Sequence, residues 1–184
     1  MPSPLTVAEW RAFLSDYNTR LIDSDMVRTA VEEDRQVISK ERLAAGWAGA
    51  EPASEEAVVA AEERLGVRFP PSYRNFLRAS DGWECIGQLD LRRVDQVGWF
   101  DDLFADLLGV WAELEHFEDQ LAVLQRCLLI GDEEGGSGGY FLLHADGVGE
   151  GGEWTAYEWW PGDGGDPEPY DDFAAMMRKA VELL

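Results

Sequence analysis

The sequence predicts an α+β domain, a mainly antiparallel β-sheet packed against helices, with a helical extension over residues 1–50 ahead of a main domain over 51–184. Three observations lead there. The first half repeats apolar residues at helical spacing, as in Trp10, Phe13, Leu14, Tyr17 and Leu21. The second half turns to short apolar runs, Cys127–Ile130, Tyr140–His144 and Glu153–Trp160, set apart by polar, Gly-rich stretches. The chain then closes on an amphipathic segment, Asp171–Leu184, with Phe173, Met176, Met177, Ala180 and Leu184 on its apolar side. Helices, then strands, then a helix is the order of an α+β fold. At 184 residues the chain is long enough for one full core with an extension, and short for two domains.

Taken in order, residues 6–24 read as a helix capped by Thr6, and residues 26–44 as a more polar second helix with Val27, Val31, Ile38 and Leu43 facing inward. Gly46 and the segment 49–53, which contains Pro52, form the joint to the main domain. Ser54 is the expected N-cap of the next helix, and Glu55 and Glu56 lie in its first turn, where the helix dipole favours negative charge. Ala57, Val58, Ala61 and Leu65 give that helix one apolar face, and Gly66 supplies a left-handed stop. Pro71 suits a first helical position, because its missing N–H would have no partner there. Tyr73, Phe76 and Leu77 form the next buried face before a turn at Asp81-Gly82. Gly87–Arg92 alternates as a strand does, residues 102–115 carry Leu103, Leu107, Leu108 and Trp111 at helical spacing, and Pro161–Tyr170 reads as a loop. No internal repeat is visible.

The string Leu65-Gly66, Phe69-Pro70, Tyr73, Phe76-Leu77 and Asp81-Gly82 resembles the opening signature of the SMI1/KNR4 (SUKH) superfamily. Leu129-Ile130-Gly131, a polar loop and Gly138-Gly139-Tyr140-Phe141-Leu142 resemble its central strand pair, and the helix near Asp171-Asp172-Phe173 resembles its closing helix. Asp81 stands where that pattern has Asn, and Gly139 where an acidic residue follows the loop glycine. The resemblance covers about residues 54–184. It implies a non-enzymatic binding module, a bacterial immunity protein that neutralises a cognate polymorphic toxin. The alternative is an SMI1/KNR4-type intracellular scaffold or regulator with no toxin partner.

Charge bears independently on the partner. The formal net charge is −22, and it is unevenly placed. Residues 1–50 hold eight acids and six bases, whereas residues 81–184 hold 24 acids against five bases, a difference of −19. Such a surface repels the phosphate backbone of nucleic acid and anionic membrane, and it attracts a basic protein. Cys85 and Cys127 are too few for a disulfide framework, Met1-Pro2-Ser3-Pro4 leads into amphipathic sequence, and no run approaches a membrane span. The expectation is a cytoplasmic protein with reduced thiols.

Chemistry at a site finds little support. Gly135-Gly136-Ser137-Gly138-Gly139 matches the G-x-S-x-G elbow of serine hydrolases, but strand-like residues follow where the elbow needs a helix, and no histidine follows His144. Cys85, His116, Cys127 and His144 lack metal-binding spacing, and Asp132-Glu133-Glu134 reads as a solvated acidic loop rather than a calcium site, since Leu143 stands at the twelfth position. No Walker or dinucleotide motif occurs. Neither a catalytic residue, a cofactor nor a metal is expected.

Eight tryptophans are the remaining signal. On a strand, Trp154, Ala156, Glu158 and Trp160 share one face, and Thr155, Tyr157 and Trp159 the other. Either this strand is packed on both sides, or some rings are exposed as anchors on an acidic rim. The candidate partner surface is Trp83, Glu84, Asp101, Asp102, Glu133, Glu134, Trp154, Glu158 and Trp159. The expected mechanism is occlusion, in which acidic loops cover the basic active-site groove of a toxin, for example a nuclease, while aromatic anchors set the register.

Overall fold

A computed structural model describes residues 6–113, 117–133 and 138–184. Among the described residues five helices precede the first strand, and their caps and stops follow their sequences. In α1 (Val7–Ile22), Thr6 and Glu9 close a reciprocal capping box, and Trp10, Leu14, Tyr17 and Leu21 are buried. Residues 26–44 are not one helix but two, α2 (Asp25–Glu32) and α3 (Lys40–Ala45). Asp34 takes a left-handed backbone (φ 52°), and Ser39 caps a fresh N-terminus through Arg42 N–H. The break turns Ile38 inward, while Val31 lies outside at 58% exposure. In α4 (Glu55–Leu65), Ser54 caps Ala57 N–H and Gly66 ends the helix at φ 70°. In α5 (Pro71–Leu77), Ser72, Tyr73, Phe76 and Leu77 are buried. Glu62 ties α4 to α5 by accepting from Phe69 N–H (3.0 Å) and Arg74 Nε (3.1 Å), while Glu55 pairs with Arg74 and Arg78.

The β region is richer than its apolar runs indicate. β1 (Trp83–Ile86) and β2 (Leu89–Leu91) form a hairpin about Gly87-Gln88, and β3 (Gly98–Trp99) is a two-residue strand. The helix expected over 102–115 is divided at Phe104 (φ −131°, ψ 37°) into α6 (Phe100–Leu103) and α7 (Ala105–Trp111), and α8 (Glu118–Leu124) follows. Then come β4 (Cys127–Asp132), β5 (Tyr140–Val148) and β6 (Trp154–Trp159). β7 (Glu168–Tyr170) lies inside the stretch expected as loop, because its backbone completes the free edge of β6. Asp172 then caps α9 (Phe173–Ala180) through Ala175 N–H.

The described strands make one antiparallel sheet in the order β1-β2-β4-β5-β6-β7. One end of β4 pairs with β2 through Gly131 and Asp132, and the other with β3 through Leu128 and Leu129. Period-2 alternation sorts the central strands between two cores. Leu128, Ile130, Phe141, Leu143, Trp154 and Ala156 join the larger, with α1, α4, α5 and α9. Cys127, Leu129, Tyr140, Leu142 and Trp159 join the smaller, with Phe100, Leu108, Phe117 and Leu124 from the α6–α8 layer. The sheet is therefore covered on both faces. That is why its middle strands are continuously apolar.

Candidate functional site

The hairpin β1–β2 is where the N-terminal segment meets the sheet, and its backbone is unusual. Trp83 pairs with Leu91 and Ile86 with Leu89, so β1 carries one extra residue, a bulge. Cys85 takes up the bulge in the left-handed region (φ 58°), where a side chain with a Cβ is strained. Two groups hold it there. Asp90 Oδ1 accepts from Cys85 N–H (2.6 Å), and the Tyr17 hydroxyl of α1 donates to Cys85 C=O (2.8 Å) while accepting from Gly87 N–H (3.0 Å). Burial pushes the Cys85 thiol up to about 12, with Asp90 and Glu84 adding in the same direction, so it stays protonated and unreactive at neutral pH.

The bulge sets Glu84 toward the N-terminal segment. Its carboxylate accepts from Ser39 N–H (2.6 Å) and Ser39 Oγ (3.0 Å), with Arg42 Nε at 3.7 Å. Between these walls lies a cleft of about 490 Å³. Met26, Gln36, Val37, Ile38 and Ser39 line one side, and Glu84, Cys85, Gly87, Gln88, Asp90 and Glu133 the other. No Lys or Arg is among these lining residues. A neighbouring concavity shares Glu84 and Asp90 but carries Arg42, Arg92 and Arg93 as well. There Arg92 holds Asp132 by two parallel bonds of 2.9 and 2.8 Å, which offsets the Asp90–Asp132 pairing across β2 and β4.

The candidate surface residues separate. Glu84 and Glu133 meet in the acidic cleft. Asp101 and Asp102 lie on α6, Asp101 half-buried and Asp102 exposed. Glu158 sits on β6, where its two oxygens accept from Trp160 Nε1 (2.8 Å) and the Tyr170 hydroxyl (3.4 Å). Glu134 lies outside the described residues, as does Ser137. The tryptophans are corrected by their burial. Trp83, Trp154 and Trp159 are 2%, 5% and 0% exposed, so they are core side chains and not surface anchors. Their placement follows from helices covering both sides of the sheet, which one strand's sequence does not reveal. Residues missed were those of the opposing wall, Met26 and Gln36–Ser39, because a continuous helix through 26–44 hides the segment that lines the cleft.

Two departures from the family string have local causes. A Cβ at Gly139 would come within 2.5 Å of the Trp160 ring and 2.7 Å of Leu89, so an acidic side chain has no room. Asp81 is buried, and its Oδ1 accepts from Val94 N–H at 2.7 Å, a bond an Asn oxygen makes equally well. Burial raises the Asp81 carboxyl above its ordinary range. Glu153 is raised likewise by burial, opposed by the bonds it accepts from Ser72 N–H (2.8 Å) and Ser72 Oγ (2.6 Å). A carboxyl raised in the folded state contributes stability below its unfolded pKa and loses it as pH rises through the folded value. Asp81→Asn and Glu153→Gln are therefore expected to match the parent Tm near pH 4 and to exceed it by about 2–4 °C at pH 7. Thermal melts across that range check it, and equal Tm differences at both ends would refute the assignment.

Among the described residues no group of three or more His, Cys, Asp or Glu is placed to hold a metal, and no helix is long and apolar enough to cross a membrane. The antiparallel sheet with helices on both faces is the α+β architecture of an SMI1/KNR4-like domain. The chain belongs to the SMI1 / KNR4 family (SUKH-1), whose model matches residues 52–179. No curated protein matches the sequence.

Proposed function

We propose that this protein is a non-enzymatic binding module of the immunity type, which neutralises a basic toxin domain by covering its cationic surface. Family membership supports the class, and the charge distribution carries the choice of partner: 24 acids against five bases over residues 81–184. The acidic positions offered to the partner are Glu84 and Glu133 at the cleft and Asp101 and Asp102 on α6. An acidic surface of this strength steers a basic protein into contact and speeds association, an effect that salt screens over about 8–10 Å.

The test is calorimetric or surface-based binding, across salt, to any toxin domain found encoded beside this gene. Affinity is expected to fall at least about tenfold between 0.05 and 0.5 M salt, mainly through slower association. Salt-independent affinity would overturn the electrostatic mechanism. Absence of binding, with host proteins co-purifying instead, would favour the scaffold reading.

A further inference from the structure

The cleft at the sheet edge has a composition that its surroundings do not share. One wall is supplied by Met26 and residues 36–39, outside the family match at 52–179, and the other by the hairpin and the end of β4, inside it. The first wall is largely apolar, with Met26 36% exposed and Val37 half-buried. The second is acidic. Glu84 already holds Ser39, and Asp90 already holds Cys85 N–H. Glu133 differs: its Oε2 is buried, with no hydrogen-bond partner among the described residues. That oxygen is closed to solvent while the residue itself is partly exposed at the cleft, so a ligand's charged donor reaches it when the Glu133 carboxylate turns into the cleft, exchanging a costly orphan for a charge-assisted bond.

An apolar wall facing an acidic floor suits a long cationic side chain, whose methylene stem packs on carbon while its head reaches the carboxylate. We propose that this cleft receives one arginine or lysine side chain of the protein partner, with Glu133 taking the charged head, and that residues 26–39 are the specificity-determining wall. The inference rests on the reading of this protein as a binder of a basic partner. The Glu84–Ser39 latch keeps the two walls in register. Because this wall comes from a segment outside the family match, partner choice can change without altering the sheet.

N-acetyl-arginine amide, titrated into the full chain and followed by amide and methionine-methyl NMR, tests the cleft directly. N-acetyl-norleucine amide is the uncharged control. Saturable shifts are expected at the Met26 methyl and at the amides of residues 84–90 and 133 with the arginine probe only. Glu133→Gln should weaken binding about tenfold, and Met26→Ser should weaken it less, about threefold. Both positions are partly exposed, so neither change removes core packing. Non-saturating shifts scattered over Asp101, Asp102 and other surface acids, or an unchanged affinity in Glu133→Gln, would overturn the proposal. A silent cleft together with salt-sensitive binding of the toxin domain would refute the cleft and leave the binding function standing. The probe at the cleft with no toxin binding would do the reverse.

Discussion

Trp10→Ala is expected to lower the unfolding free energy by about 3–5 kcal/mol, the cost of emptying a tryptophan site in a packed core. The ring is fully buried, with centroids 5.4 Å from Phe13, 5.5 Å from Phe76 and 5.4 Å from Phe173. Its Nε1–H also donates to Ser72 C=O at 2.9 Å. Removing the ring therefore opens a cavity and strips the indole bond from the Ser72 carbonyl, which keeps only its helical donor. Ser72 is bonded through its N–H and hydroxyl to Glu153, so the loss reaches the joint between α5 and the start of β6. A domain of ordinary stability has about 5–15 kcal/mol in total, so the variant should sit near the edge of cooperative folding. Urea denaturation measures this, with Phe13→Ala, at a half-buried position, as the milder control. By the same argument a chain beginning at residue 51 should not fold cooperatively, since it exposes Phe76, Phe173 and the Cys85 bulge held by Tyr17. A sharp transition in that truncated chain would show that α1 is dispensable.

Trp159→Ala is expected to cost a similar amount, about 3–5 kcal/mol, through the other core. Trp159 has no exposure and stands among Phe100, Trp111, Phe117 and Tyr140 at centroid distances of 6.0, 5.3, 6.1 and 6.1 Å. Its indole N–H donates to Gly165 C=O at 3.1 Å. The second cluster is small, so one aromatic is a large part of it. The loss should therefore appear first as faster amide exchange in α6–α8, before global unfolding. A variant that kept full stability and lost only partner affinity would contradict this placement and restore Trp159 as a surface anchor.

Local signals in the chain carried much of the fold. Ser54, Gly66, Pro71 and Thr6 each act within one turn of themselves, and each occupies the cap, stop or first-turn position that its chemistry demands. The alternation in Trp154–Trp159 likewise follows from strand geometry alone, and its two faces go to two different cores. What was not legible depends on partners distant in sequence. β7 exists because β6 offers it an edge, and Pro169 within it gives no strand signal of its own. The Cys85 bulge needs Tyr17, 68 residues away. The break between α2 and α3 is fixed by the reach of Ser39 to Glu84, and that break makes the cleft.

For the site, sequence supplied the sign of the charge and placed most of it after residue 81. It also supplied the family string, which marks residues that cap, stop and pack and that stand apart from the acidic cleft. Which acids face one another was decided only in three dimensions. Glu84 and Glu133 converge because β4 runs antiparallel beside the hairpin, whereas Trp83, Trp154 and Trp159 are withdrawn because helices cover both faces of the sheet. The physical reason is range. Helix caps, turns and alternation are set by neighbours along the chain, while burial and the meeting of charges are set by which surfaces the apolar faces must find.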